Sequence, residues 1–259
     1  MTNVHLVGGL DIAELTFFAF FLFFLGLVWY LRGEDRREGY PVEDDLTGAA
    51  HGGTDTDALF FKPAKTFKLP HGLGDVTTPT ANDRDPLPGN VLPRAWAGEP
   101  LDVVGDKLTS GVGPASIAQR ADRPDLDMHG QPRIVPTRVI SHPVGVHQND
   151  VDPRGLPVFG LDGGKAGTVK DLWMDRAESC LRYLEVELAG GAGTILMPIT
   201  MAEVSARGVM TDAITGAQIA GVPRTKSADQ VTLLEEEKIQ AYFGAGYLWA
   251  TPERAEPLI

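Results

Sequence analysis

One cysteine, Cys180, stands among 259 residues. The sequence therefore closes no disulfide within itself, a usage that fits a reducing compartment, and the Cys180 thiol reads as a small, partly buried side chain. Paired Cys-x-x-Cys, His-Glu-x-x-His and Gly-x-Ser-x-Gly patterns are absent, which removes the usual redox, zinc-hydrolase and nucleophile-elbow signatures. The stretch GLDGGKAGT is rich in glycine but lacks the P-loop order, so it reads as a turn. Basic residues are in deficit, 23 Lys and Arg against 35 Asp and Glu, for a net charge of −12. No basic stripe offsets that charge, so nucleic acid is not expected as a partner. Broad adhesion to an anionic leaflet is also disfavoured, apart from Arg32, Arg36 and Arg37.

Apolar residues, by contrast, are concentrated in one place. Ile12 to Leu31 (IAELTFFAFFLFFLGLVWYL) carries a single charge, Glu14. At about 1.5 Å per residue this block makes a helix of roughly 30 Å, the hydrocarbon thickness of a bilayer. Its Leu, Phe and Val residues favour insertion by at most about 3–7 kcal/mol, against a smaller cost for Glu14 at the helix end. A cleaved signal peptide is the alternative. No Lys or Arg precedes the block and no small-x-small site follows Trp29-Tyr30-Leu31, so a retained anchor is expected. Asp11 is placed as N-cap with Glu14 at capping-box spacing, and Leu10 and Leu15 are placed as a staple. Trp29 and Tyr30 suit the other interface, and Arg32, Arg36 and Arg37 put the following chain on the cytoplasmic side, the N-terminus outside.

From Gly33 to about Val112 no helical or alternating period is sustained, and phrases such as KPAKTFKLPHG and NDRDPLPGN read as turns and extended chain. Leu59, Phe60, Phe61, Phe67, Leu69 and Trp96 are too apolar for a purely solvated linker, so this segment is expected to be ordered along a partner. The body, from Gly113 on, reads as mostly β. Val158–Leu161 and Thr168–Met174 flank a turn at Asp162–Lys165 and predict a hairpin. In YLEVEL, Leu184, Val186 and Leu188 alternate with Glu185 and Glu187, the pattern of a half-buried antiparallel strand. Thr194–Ile199 and Gly208–Thr211 are further short strands. A helix is expected at about Asp229–Phe243, with Asp229 as cap and Val231, Leu234, Lys238 and Tyr242 on one stripe, leaving Glu235–Glu237 on a solvated face. Closely spaced strands and one late helix point to a small antiparallel barrel or sandwich.

Chemistry-bearing clusters are few. His142 and His147 near Asp150 have a weak ligand spacing in a Pro/Gly loop and read as solvated. Asp122, Asp125, Asp127 and His129 within RADRPDLDMHG place carboxylates beside an imidazole, groups that exchange protons near neutral pH when perturbed. Glu178, in DRAESC before a strand, reads by itself as a surface acid.

The helix running into YLRGEDRREGYPVED, followed in order by KTFKLPHG, GVGPAS, PDLDMHG, IVP, DPRGLPV, RYLEVEL and VTLLEEEKI with AYFGAGYLWA, resembles the H subunit of the purple-bacterial photosynthetic reaction centre. The resemblance covers nearly the whole chain. It implies a membrane-anchored, mostly β protein: an N-terminus (1–11), a transmembrane helix (12–32), an extended membrane-surface segment (33–112) and a cytoplasmic antiparallel PRC-barrel domain with a late helix (113–259). It further implies a non-catalytic subunit without pigment of its own, in the inner, intracytoplasmic membrane. There it stabilises the L and M subunits, caps their quinone side and conducts protons to the secondary quinone. Bacteriochlorophyll, bacteriopheophytin, quinones and non-haem iron would sit on L and M. Light-harvesting 1 antenna, a cytochrome and membrane lipids would be further neighbours. The proton-transfer residues carried over are Asp127, His129 and Glu178, the last as a semi-buried acid with a raised pKa. One position departs from the family pattern: Gln131 stands where some members have a second histidine, and it cannot titrate. Two other readings are a membrane-anchored PRC-barrel adaptor without photosynthetic partners, and a membrane enzyme, for which the sequence offers no constellation.

Overall fold

The computed structural model describes residues 5–7, 10–35, 64–78, 91–92, 96, 99, 101–141 and 144–255. Arg36, Arg37, Leu59, Phe60, Phe61, His142 and the REGYP motif lie outside the described residues. The chain divides into two compact units, Met1–Asp85 with Arg94–Glu99, and Pro86–Pro93 with Pro100–Ile259.

In the first unit, β1 (His5–Val7) and β2 (Leu10–Asp11) pair antiparallel and lead into α1 (Ile12–Glu34). The expected cap is present: Glu14 N donates to Asp11 Oδ1 at 2.8 Å, and Asp11 N donates back to Glu14 Oε2 at 3.3 Å. The helix runs 23 residues and is long and apolar enough to cross a bilayer. Trp29, Tyr30 and Arg32 stand exposed near its C-terminal end, where Arg32 approaches Asp35 at 3.9 Å. Farther on, β3 (Lys65–Lys68) and β4 (Asp75–Thr78) form a hairpin in which Phe67 faces Val76, both exposed. A lone two-stranded hairpin with an apolar face in water is marginal at best.

The second unit is built on one open seven-stranded sheet. Its strands are β5 (Ile134–Pro136), β6 (Pro157–Phe159), β7 (Lys165–Asp175), β8 (Cys180–Leu188), β9 (Thr194–Pro198), β10 (Glu203–Ser205) and β11 (Gly208–Met210). The order is β10-β11-β6-β7-β8-β9, and β5 adds to β7. All pairs are antiparallel except β11 with β6, which run parallel, and the sheet does not close into a barrel. The predicted β6–β7 hairpin is present. Its turn is held by Asp162, whose Oδ1 accepts from Gly164 N at 3.1 Å and reaches Gly216 N, at the start of the short helix α2 (Gly216–Ile219), at 2.9 Å.

One edge of β7 is served by two short strands, β6 along residues 165–168 and β5 along 173–175. A 3-10 turn, Thr137–Val139, fills the gap between them and sends Arg138 into the sheet. Asp171 of β7 lies opposite Glu185 of β8, both buried, and two facing carboxylates repel. Arg138 resolves the conflict: Nη1 donates to Glu185 Oε2 at 2.6 Å and to Asp171 Oδ2 at 3.1 Å. Trp173 Nε1 adds a bond to Glu185 at 2.9 Å. The side of β8 carrying Glu185 is therefore covered at Tyr183 and Glu185 and open at Glu187, rather than solvated along its length as the alternation implied.

The late helix, α3 (Leu233–Trp249), begins four residues after Asp229. Thr232 is the cap: its hydroxyl accepts from Glu235 N at 3.1 Å, and Glu235 Oε2 accepts from Thr232 N at 2.9 Å. This shift also changes the buried stripe, which runs through Glu235, Glu236, Ile239, Tyr242, Phe243 and Gly246 rather than through Leu234 and Lys238. Of the three acids expected in solvent, Glu235 and Glu236 are buried. Thr232→Ala is expected to lower the stability of the detergent-solubilised chain by about 1 kcal/mol, read as a lower urea midpoint at unchanged slope. The core beneath gathers Trp173, Tyr183, Leu184, Ile195, Ile214 and Phe243, and Leu108, upstream of Gly113, joins it.

Candidate functional site

The loop Asp122–Arg133 folds because its polar side chains serve its own backbone. Asp127 Oδ1 accepts from His129 N at 2.8 Å and from Gln131 N at 2.9 Å, and Asp127 N donates to Gln131 O at 2.8 Å. These backbone donors, Gln131 first, outweigh the opposing effect of partial burial and hold the Asp127 carboxyl below its ordinary range. Gln131, which cannot carry a proton, thus organises the turn that presents His129. Both Met128 and His129 stand exposed at its tip.

The turn between β7 and β8 is built in the same way. Asp175 Oδ1 accepts from Ala177 N at 2.9 Å and from Glu178 N at 3.1 Å, a side-chain-capped turn with Ser179 at φ 54°. Arg133, immediately before β5, joins the two turns. Its Nη2 donates to Asp175 Oδ2 at 2.7 Å and to Glu178 Oε1 at 3.0 Å, and its Nη1 donates to Asp125 Oδ2 at 3.0 Å. Asp175 is buried. Burial alone would raise its pKa, but the Glu178 and Ala177 amides and the Arg133 guanidinium reverse the sign and hold the carboxyl below its usual range. The same carboxylates push Arg133 still further up, Asp175 foremost, so its charge is permanent. Arg176 completes the link: its backbone N donates to Arg133 O at 2.9 Å and its guanidinium approaches Asp127 at 3.6 Å.

Arg133, Asp125, Asp175 and Glu178 line a polar pocket of about 200 Å³, with Glu236 of α3 in its wall. Burial pushes the Glu236 carboxyl above its ordinary value, partly offset by a hydrogen bond from Tyr183. The buried acid expected at Glu178 is therefore found at Glu236, whereas the Glu178 side chain is 59% exposed and bound to a guanidinium. Asp127 and His129 share one turn, and Glu178 sits on the neighbouring turn, connected through Arg176 and Arg133. Asp122 points elsewhere, donating nothing to the pocket: its Oδ1 accepts from Thr232 Oγ1 at 3.0 Å and its other oxygen pairs with Lys226. Cys180 is half-buried, its Sγ 3.9 Å from Glu178 Oε2. His147 Nδ1 accepts from Asn149 N at 3.3 Å within its own turn. Among the described residues no group of three or more His, Cys, Asp or Glu is placed to hold a metal ion.

Arg133, Asp175 and Glu236 escaped the sequence reading. A signal existed for Asp175, since Asp followed two and three residues later by free amides in DRAE is a turn-capping pattern. Nothing local marks Arg133 or Glu236. A model of the photosynthetic reaction centre H-chain N-terminal region matches residues 4–139, more than half of the chain, and a model of the PRC-barrel domain matches residues 149–218.

Proposed function

The chain belongs to the H-chain family of the photosynthetic reaction centre, and on that premise we propose that its body caps the quinone side of the L and M subunits and conducts protons toward the secondary quinone. As a family member it is a non-pigment, structural subunit of an electron-transfer complex that associates with L and M, and α1 fits a membrane location. In our reading residues 1–11 are periplasmic, 12–32 span the bilayer, 33–112 lie on the membrane surface and 113–259 form the cytoplasmic cap. Arg32 with Arg36 and Arg37 supports that orientation. The apolar pair Phe67 and Val76, exposed on their hairpin, supports laying the surface segment against L and M. The phenylalanine-rich surface of α1 then meets protein on one side and lipid on the other. Pigments, quinones and non-haem iron belong to L and M in this reading, and antenna and cytochrome are more distant neighbours. An adaptor without photosynthetic partners would account for the PRC-barrel match but not for the match over residues 4–139.

The observation that carries the proton role is the Arg133 fork, which gathers Asp125, Asp175 and Glu178 around one polar pocket with Glu236 in its wall. Quinone reduction places negative charge in a low-dielectric site, where it is costly until a proton arrives. Asp127, held ionised, supplies negative charge at the surface beside the His129 imidazole, whose ring nitrogens can give and take a proton. Arg176 and Arg133 fix the order of the carboxylates inward from there. Arg133 never gives up its proton, so it orients the path and the acids carry it.

Glu178→Gln in the assembled complex is expected to slow the proton-coupled second electron transfer after paired flashes by about tenfold or more. A positioned proton-transfer group contributes about 10²–10⁴, and Asp125 and Glu236 remain to share the load. The first electron transfer should keep its rate. An unchanged second transfer would remove Glu178 from the path.

A further inference from the structure

Behind Glu236, in the wall of the Arg133 pocket, stands a buried hydroxyl that the proton path does not use. Tyr183 of β8 is 1% exposed, and its hydroxyl donates to Glu236 Oε2 at 2.7 Å. Gln240, one helical turn beyond Glu236, donates from Nε2 to the Tyr183 hydroxyl oxygen at 3.3 Å. An amide nitrogen is a donor alone, so the hydroxyl proton is left facing the carboxylate. Glu236, itself buried, thus receives a directed hydrogen bond from a buried hydroxyl.

We propose that Tyr183 is a positioning residue for this pocket: its hydroxyl, oriented by Gln240, sets how readily Glu236 takes up a proton. The proposal rests on the reading of the Arg133 cluster as a proton-handling site. Burial favours the neutral acid at Glu236, and the Tyr183 hydroxyl favours the carboxylate. Also facing Glu236 are Arg182 of β8, which favours the carboxylate, Arg120 from the loop before β5, acting the same way, Asp125 from that loop, acting oppositely, and Arg133, Asp175 and Glu178 around the same pocket. Glu237, the next acid on α3, is engaged by Arg120 at 3.5 Å. Tyr183 itself remains protonated, because burial and the neighbouring carboxylate both push its phenol upward. Burial and the Tyr183 hydroxyl therefore act on Glu236 in opposite directions, and Tyr183 does so without exchanging its own proton.

The test is an infrared pH titration of the assembled reaction-centre complex, with Glu236→Gln identifying the carboxyl band. Tyr183→Phe removes a donor to the charged form, so the Glu236 midpoint should move upward by about one pH unit, a tenfold change in proton affinity. Gln240→Leu alters an exposed side chain and frees the hydroxyl to rotate. It should produce a smaller shift in the same direction, and it keeps the test open if Tyr183→Phe impairs assembly. A midpoint that stays in place in the variants overturns the proposal. The second electron transfer is timed on the same samples. A shifted titration with an unchanged rate upholds Tyr183 and overturns the proton-conducting reading of this wall. An unshifted titration beside a slow Glu178→Gln overturns the Tyr183 proposal alone.

Discussion

Arg138→Met is expected to lower the stability of the body by about 3 kcal/mol, the low end of what breaking a buried ion pair costs, because a third of the Arg138 side chain is exposed. The loss is large because two acids depend on the same cation. Asp171 and Glu185 face each other across β7 and β8, both buried, and Arg138 donates to both. Lys170 also approaches Glu185 at 3.3 Å, so one acid keeps a partner in the variant and the other keeps a hydroxyl and amides. Arg138 additionally holds the loop before α3, through Ala228 O and Asp229 Oδ1. Methionine retains much of the aliphatic stem, which isolates the effect of charge from that of packing.

The pH dependence has a definite sign. Burial works to raise the Asp171 pKa, but Thr137, the Leu172 and Arg138 amides and the Arg138 guanidinium bring it below the ordinary value. Its contribution is therefore present above the unfolded carboxylate pKa of about 3.9 and fades as pH falls through the lower folded value. In Arg138→Met, Asp171 loses the guanidinium that helps hold its pKa down and becomes neutral more readily, so the deficit against the native chain should be widest near neutral pH and narrow toward about pH 4. Urea midpoints of the detergent-solubilised chain at both pH values decide it. A deficit of equal size at both would mean that lost packing, not charge, is responsible.

Gly246→Ala is expected to cost about 3 kcal/mol or more, although helix propensity alone favours alanine by about 1 kcal/mol. A Cβ at Gly246 would lie 2.3 Å from Ala213 O and 2.3 Å from Ile214 Cγ2. The first is backbone, and it is fixed in place by Arg254, whose Nη1 donates to both Ala213 O and Gly246 O at 3.1 Å. Neither side can yield, so α3 must lift away from the Ala213–Ile214 segment. Gly244 is the internal control. A Cβ there would meet Pro114 O at 3.5 Å, an ordinary contact, and Gly244→Ala should stabilise the chain by about 0.5–1 kcal/mol. Thermal unfolding of the two variants should move in opposite directions, and equal shifts would sink the packing argument.

What the sequence made legible was local, and what it hid was distant. The α1 cap was readable because Asp11 and Glu14 sit three residues apart and answer each other alone. The β6–β7 hairpin was readable because Asp162 and its glycines supply the turn chemistry in place. The start of α3 was misplaced at Asp229 even though Thr232 and Glu235 carry the same capping-box spacing. The pairing of Pro124 with Thr232 and the bond from Leu233 N to Arg123 O help decide between the two caps, and both reach across the fold. Glu185 and Glu236 look in sequence like solvated acids. Their partners, Arg138 and Tyr183, stand 47 and 53 residues away. The candidate site follows the same division. The Asp127–His129 turn is a short-range object, while the Arg133 fork spans 45 residues to Glu178 and no spacing rule reaches that far.

The open sheet bears on the time before assembly. A subunit that waits in the membrane for its partners must avoid recruiting a second copy of itself through unpaired strand edges. Its last strand on one side, β10, offers three residues, with Glu203 and Ser205 exposed. On the other side β9 ends at Pro198, and Arg224 occupies the Thr194 carbonyl. Neither margin is long enough or free enough to template a neighbour. These two margins therefore offer a second copy little to pair with, whereas exposed apolar side chains such as Phe67 and Val76 offer a partner a surface to cover.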